Sequence, residues 1–154
     1  MVFEYILKNN GIDPAADLEI DQSIDFGSTA AAFTGDASAA FTVEFEPSAT
    51  ALEKEGAGYV VASLGVDSGY VPYTSYSAKT SFLNENPQVI QSFTTALQKG
   101  MDYVQSHTPE EIAEIIEPQF PETDLDTITA IVKRYYDQDT WKENLIFEKE
   151  SFEL

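Results

Sequence analysis

With 154 residues, 43% of them hydrophobic and 12% aromatic, the chain has the length and the apolar content of one packed domain rather than a disordered tail. Its 27 acids against 8 bases give a formal charge of -19, which argues against binding a nucleic-acid backbone or an anionic membrane surface, since clustered Lys and Arg carry such contacts. There is no cysteine and one histidine, His107, so thiolate nucleophiles, disulfides, cysteine-held metals and Ser-His or Cys-His catalytic pairs are excluded, and no cofactor or metal is expected.

The first pattern, over residues 3–10, puts Phe3, Ile6 and Leu7 on one helical face, and Asn9-Asn10-Gly11 stops it. Residues 17–24 alternate Leu18, Ile20, Gln22 and Ile24 against Glu19, Asp21 and Ser23, the period of a strand. Ser28 is placed to cap a short helix over 29–33 that closes at Gly35. A strand over 39–45, a helix over 47–54 with Pro47 in its first turn, a break at Gly56 and a strand over 59–64 follow. Strands and helices alternating through short links predict an α/β arrangement with a largely parallel sheet.

Beyond Gly69 the character changes. Residues 71–79 read as one more strand, and the remainder reads as helical. Asn86-Pro87 opens a helix with the stripe Ile90, Phe93, Leu97, Met101 and Val104. Thr108-Pro109-Glu110-Glu111 is a capping box, opening a helix that stops before Pro118. Thr123 and Asp126 open a last helix that buries Leu125, Ile128, Val132 and Tyr135. The tail from Trp141 has no clear period, and Trp141 itself is expected to anchor it. No run reaches the roughly 20 apolar residues of a membrane span, and residues 1–5 carry no basic segment of a secretion signal.

The blocks "FEPSATALEKEG" and "RYYDQDTW", set within "DFGSTAAAFTGDASAAFTVEFEPSATALEKEGAGYVVASLG" and "VPYTSYSAKTSFLNENPQVIQSFTTALQKGMDYVQSH", carry a resemblance that covers nearly the whole chain. It resembles the C-terminal part of ABC-transporter substrate-binding proteins of the nitrate, sulfonate, taurine and thiamine-pyrimidine-precursor type. The resemblance implies one lobe of a type II periplasmic-binding-protein fold plus a C-terminal helical segment. Residues 1–70 would be the second-lobe α/β domain, 71–79 the hinge strand, and 80–154 helices that complete a first lobe whose sheet, with its Gly-rich ligand loop, is not in this chain. It further implies a non-enzymatic, extracytoplasmic binding component that closes over a small polar ligand and then docks on an ABC permease.

In α/β lobes ligands gather at the carboxyl ends of strands, where helix N-termini present unpaired N–H groups. Two such seams are readable, at residues 25–29 and 44–49. The first offers Phe26 as an aromatic wall, with Ser28 and Thr29 as polar contacts or simply as caps. In the second, Glu44 or Glu46 could accept hydrogen bonds from an amine or aminopyrimidine, or Glu46 could complement the helix dipole. Two carboxylates beside the cleft favour a donor-bearing ligand over a bare sulfonate or nitrate. Tyr70, Tyr73 and Tyr76 flank the hinge; Tyr73 and Tyr76 have opposite parity in a strand, and Tyr73 is taken as the cleft residue. Two rival readings stay open: a pyrimidine-precursor synthase relative, whose chemistry would use histidines and a Cys-rich motif, and a structural or sensory module that binds nothing. The apolar stripes from Asn86 onward, lacking a first lobe to cover, predict a homodimer, swapped through residues 71–79.

Overall fold

In the computed structural model, which describes residues 2–153, every regular element among the described residues is helical. The helices are α1 (Val2–Asn9), α2 (Thr29–Gly35), α3 (Ser48–Lys54), α4 (Leu64–Asp67), α5 (Thr80–Glu85), α6 (Pro87–Ser106), α7 (Pro109–Ile116), α8 (Leu125–Asp137) and α9 (Lys149–Glu153), with 3-10 turns at Phe26–Ser28 and Glu117–Gln119. The chain divides into two compact units, Met1–Ser68 and Gly69–Leu154.

The expected strands over 17–24, 39–45, 59–64 and 71–79 form no β-ladder among the described residues, so the parallel sheet of the α/β expectation is corrected to a helical arrangement with irregular connections. The physical reason is that alternation dictates only a local period, whereas a strand needs a second one to take its N–H and C=O groups. Local bonds also compete. The Asp21 carboxylate accepts from both the backbone N–H and the hydroxyl of Ser23, at 2.8 and 2.7 Å, folding the chain into a turn where a strand was expected. Asp36 does the same with Ser38 just before the second segment. These bonds hold both carboxyls below the usual carboxylate range, the serine hydroxyl being the larger cause.

Three helices stop by one device. After α1, Gly11 takes a left-handed φ of 76°, its N–H reaches Lys8 O and the next N–H, of Ile12, reaches Leu7 O. After α3, Gly56 at φ 70° does likewise, with Gly56 N–H to Glu53 O and Ala57 N–H to Leu52 O. After α8 the left-handed residue is Asp139, at φ 55°, with Thr140 N–H reaching Tyr135 O. In each case two otherwise orphaned carbonyls are satisfied and the chain reverses. Asp139 also accepts from the Tyr70 hydroxyl at 2.7 Å, a bond that pushes the phenol's pKa up.

In the first unit α1 lies against α4 and buries Ile6, and Gln22 donates to Glu4 at 2.6 Å. Helix α4, which the sequence pattern did not anticipate, is capped by Ser63, whose hydroxyl oxygen accepts from Val66 N–H. Helices α2 and α3 approach one another, α3 burying Thr50 and Leu52. Gly58 passes under the Phe33 ring, where a Cβ would sit 3.3 Å from the nearest ring carbon.

In the second unit the core is the face between α7 and α8. Ile112, Ala113, Ile128 and Val132 are buried there, with Tyr103, Val104, Ile116, Leu125 and Trp141 packed around them. Trp141 thus anchors the tail, its ring edge-on to Tyr135 and its carbonyl accepting from Gln105. His107, at the end of α6, is half-buried, stacks on Tyr103 with ring centroids 3.6 Å apart and bonds the Tyr103 carbonyl through Nδ1. The cap of α8 is Asp124, whose carboxylate accepts from Thr127 N–H, one residue on from the Thr123 expected.

The capping box at the start of α7 forms as read: Thr108 N–H donates to Glu111 Oε2 at 2.9 Å and Glu111 N–H to Thr108 Oγ1 at 3.3 Å. The Thr108 N–H is the main cause holding the Glu111 carboxyl below its ordinary value. A carboxyl depressed in the folded state stabilises above its unfolded pKa, about 4.3, and that contribution is lost as pH falls through the folded value. The urea-midpoint difference between the parent chain and Glu111→Gln is therefore expected to be full at pH 7 and to close by about pH 3. A difference that stays constant across that range contradicts the charged capping box.

Candidate functional site

The two seams read from the sequence meet in the first unit. Residues Phe26–Ser28 form a 3-10 turn that leads into α2, and the Phe26 ring packs on Phe45 with centroids 5.1 Å apart and planes tilted by 51°. Phe26 remains 71% exposed, so the pair makes an open apolar ledge. Thr29, half-buried, donates its hydroxyl to Phe26 O at 3.3 Å, and Ser28 N–H donates to Asp25 O at 2.8 Å. Ser28 is exposed and its side chain makes no capping bond to α2, so its expected capping role is corrected. The Ser28 hydroxyl is therefore not what holds the start of α2.

Glu44 and Glu46 occupy alternate positions on either side of Phe45. From Phe41 to Glu46 burial alternates with period two: Phe41, Val43 and Phe45 are exposed, while Thr42, Glu44 and Glu46 are half-buried. The inward side chains are bonded within the unit. Thr42 Oγ1 donates to Glu44 Oε1 at 2.8 Å, and Glu46 Oε2 accepts from Thr50 N–H at 3.0 Å, in the first turn of α3. Glu46 thus complements the positive end of that helix. The structure brings Phe26 to Phe45 and ties Glu46 to α3, and the alternation puts the aromatic ledge and the two carboxylates on different sides of the segment.

Tyr73 lies in the second unit, 74% exposed, on the connection before α5. Nearby, Tyr76 packs edge-on against Phe93 of α6 at 5.0 Å. Sequence reasoning missed two features of the first unit. One is Phe45 as the ring partner of Phe26, a contact between segments that no local pattern announces. The other is an open groove of about 310 Å³ between α2 and α3, lined by Ala30, Ala31, Thr34, Ser48, Ala51, Leu52 and Glu55. Its signal was present as small residues on both helices, which permit close approach. None of the six residues chosen from the sequence is among those lining it. Among the described residues no group of three or more His, Cys, Asp or Glu is arranged to hold a metal ion, and no helix is long and apolar enough to cross a membrane.

The chain belongs to the NMT1/THI5 like family, which matches residues 1–112. It is also similar to a Bacillus subtilis (strain 168) protein named "Putative binding protein YtlA", 37% identical over all 154 residues. The chain spans 46% of that relative's length. No solved structure matches it.

The Glu46 bond yields a direct check. Glu46→Gln is expected to lower stability by about 0.3–1 kcal/mol, because a neutral amide complements the helix dipole less well than a carboxylate. Urea unfolding read on the first unit's Tyr and Phe signals measures it. An unchanged midpoint would mean that the carboxylate does not serve α3.

Proposed function

We propose that this chain is the ligand-facing part of an extracytoplasmic, non-enzymatic substrate-binding protein that serves an ABC importer. The observation that carries the reading is the exposed Phe26–Phe45 ledge, next in sequence to Glu44 and Glu46, in a chain of this family. A flat apolar face suits one side of a small ring, and neighbouring hydroxyls and carboxylates suit its N–H donors. The ligand class favoured is therefore a small, polar, donor-bearing molecule of the aminopyrimidine or amine type, with Phe26, Ser28, Thr29 and Glu44 or Glu46 as contacts. For these acids to reach the ligand, the segment over residues 41–46 must rotate or the ligand must bind at its edge.

The finer architecture is part of the same proposal. Residues 1–70 would act as an α/β lobe whose strands pair when a sheet is available, 71–79 as the hinge with Tyr73 facing the cleft, and 80–154 as helices that complete the other lobe. Closure about that hinge can be driven only by contacts that are better in the closed state than in the open one. The closed form would be the one that docks on the permease.

A thermal-shift panel of thiamine-pyrimidine precursors, polyamines, sulfonates, nitrate and riboflavin tests the ligand class. An aminopyrimidine present at about 100 times its Kd would stabilise by about 2.7 kcal/mol, which for a chain of this size raises Tm by roughly 5–10 °C. Phe26→Ala is expected to remove that shift while lowering the unliganded Tm by only about 1–4 °C, since the exposed ring loses only its pairing with Phe45, roughly 0.5–1 kcal/mol. Silence across the panel from a folded chain overturns the ligand assignment, and turnover of any panel member overturns the non-enzymatic reading.

A further inference from the structure

Residues 71–79 carry no helix and no ladder and are exposed throughout, yet side chains hold the segment at two points. At its start, the Tyr70 hydroxyl donates to Asp139 Oδ2 at 2.7 Å, a bond between positions 69 apart in sequence. Further on, the Tyr76 ring sits edge-on to Phe93 of α6, with centroids 5.0 Å apart. The far end runs directly into α5 at Thr80. The segment is thus fastened along its length as a strap, and all of these fastenings belong to the second unit.

The two side-chain fastenings differ in kind. The ring pair rests on apolar contact. The Tyr70 bond joins two exposed groups, so water competes for both partners and the bond opens readily. Its acceptor also stands in an unusual conformation. Asp139 adopts a left-handed φ of 55° in the turn that closes α8, where the like turns after α1 and α3 have Gly11 and Gly56. Glycine takes that conformation without steric strain, and a residue with a Cβ does not. A strained residue where glycine would fit points to a duty for its side chain, and the side chain of Asp139 holds Tyr70. The raised pKa of the Tyr70 phenol agrees, with the bond as its first cause and the carboxylate's charge as its second.

We propose that Tyr70 and Asp139 form a releasable catch that controls the movement of residues 71–75, the stretch between the catch and the Tyr76 anchor. With the bond made, that stretch is fixed at both ends. With the bond broken, it loses its fixed start and its backbone turns about Tyr76. Tyr70 is thus a positioning residue, acting through the stretch it holds. The proposal rests on the reading of residues 71–79 as the moving connection, and adds that a side-chain bond to the end of α8 gates that movement. It needs nothing from the ligand assignment, because the movement is read in the chain by itself.

The test is magnetic resonance on the whole chain without ligand. It reads amide exchange at Val71, whose N–H donates to Gly69 O at 3.0 Å, and backbone amide order parameters at residues 73–75. In the parent chain those order parameters are expected near the value of rigid backbone, about 0.85. Tyr70→Phe keeps the ring and removes only the hydroxyl. It should speed Val71 exchange about threefold to tenfold and bring the order parameters below about 0.6. Asp139→Gly should do the same with its urea midpoint unchanged or higher, because glycine suits the left-handed turn. The double variant should go no further than either single one. Asp139→Gly without effect at Val71, or residues 73–75 already mobile in the parent and unchanged in Tyr70→Phe, overturns the catch and leaves the hinge reading standing. Residues 73–75 rigid in the parent and in every variant overturn both.

Discussion

Apolar surface must be covered, and in this chain it is covered unevenly. Between α7 and α8, Ile112, Ala113, Ile128 and Val132 are withdrawn from water and ringed by Tyr103, Val104, Ile116, Leu125 and Trp141. Each buried Ile or Val side chain there contributes on the order of 1.5–3 kcal/mol. The short helices α1 and α3 of the first unit each bury one apolar residue, Ile6 and Leu52, and hold their shape through left-handed turns and caps. Local hydrogen bonds direct the chain; they do not replace a core. The surface that the first unit leaves open is the constraint from which its Phe26–Phe45 ledge follows.

What could be read beforehand divides along the same line. The capping box of Thr108 and Glu111, the stop at Gly56 and the buried face of Ile128 and Val132 depend on residues within a few positions of one another, and each forms as read. The cap of α8 moved by one residue, because Thr123 and Asp124 are both competent caps and only the backbone distinguishes them. The four strands were legible as a period but not as a sheet, since the ladder that makes a strand lies between segments distant in sequence. Around Asp21 and Asp36 a serine two residues on offers the carboxylate a nearer partner. Helices α4, α5 and α9 are short, and their patterns are too brief to stand out.

The candidate site shows the same division. Phe26, Ser28, Thr29, Glu44 and Glu46 were chosen because they sit where helices begin, and the structure gives some of them ordinary duties there: Glu46 serves α3 and Thr29 bonds the preceding turn. The meeting of Phe26 with Phe45 is tertiary and was not legible. It turns two seams into one ledge, while the period-two alternation turns the neighbouring carboxylates the other way. Under the proposed ligand reading, aromatic and acidic parts that point apart must be rearranged before they enclose a ligand.

The most direct measurement is amide hydrogen exchange on the chain by itself. The account predicts slow exchange in α7 and α8, with residues 41–44 exchanging close to the rate of an unfolded peptide because no β-ladder forms there. Strong protection of those residues would mean that a sheet is already formed, and would contradict the helical arrangement with an open first-unit surface.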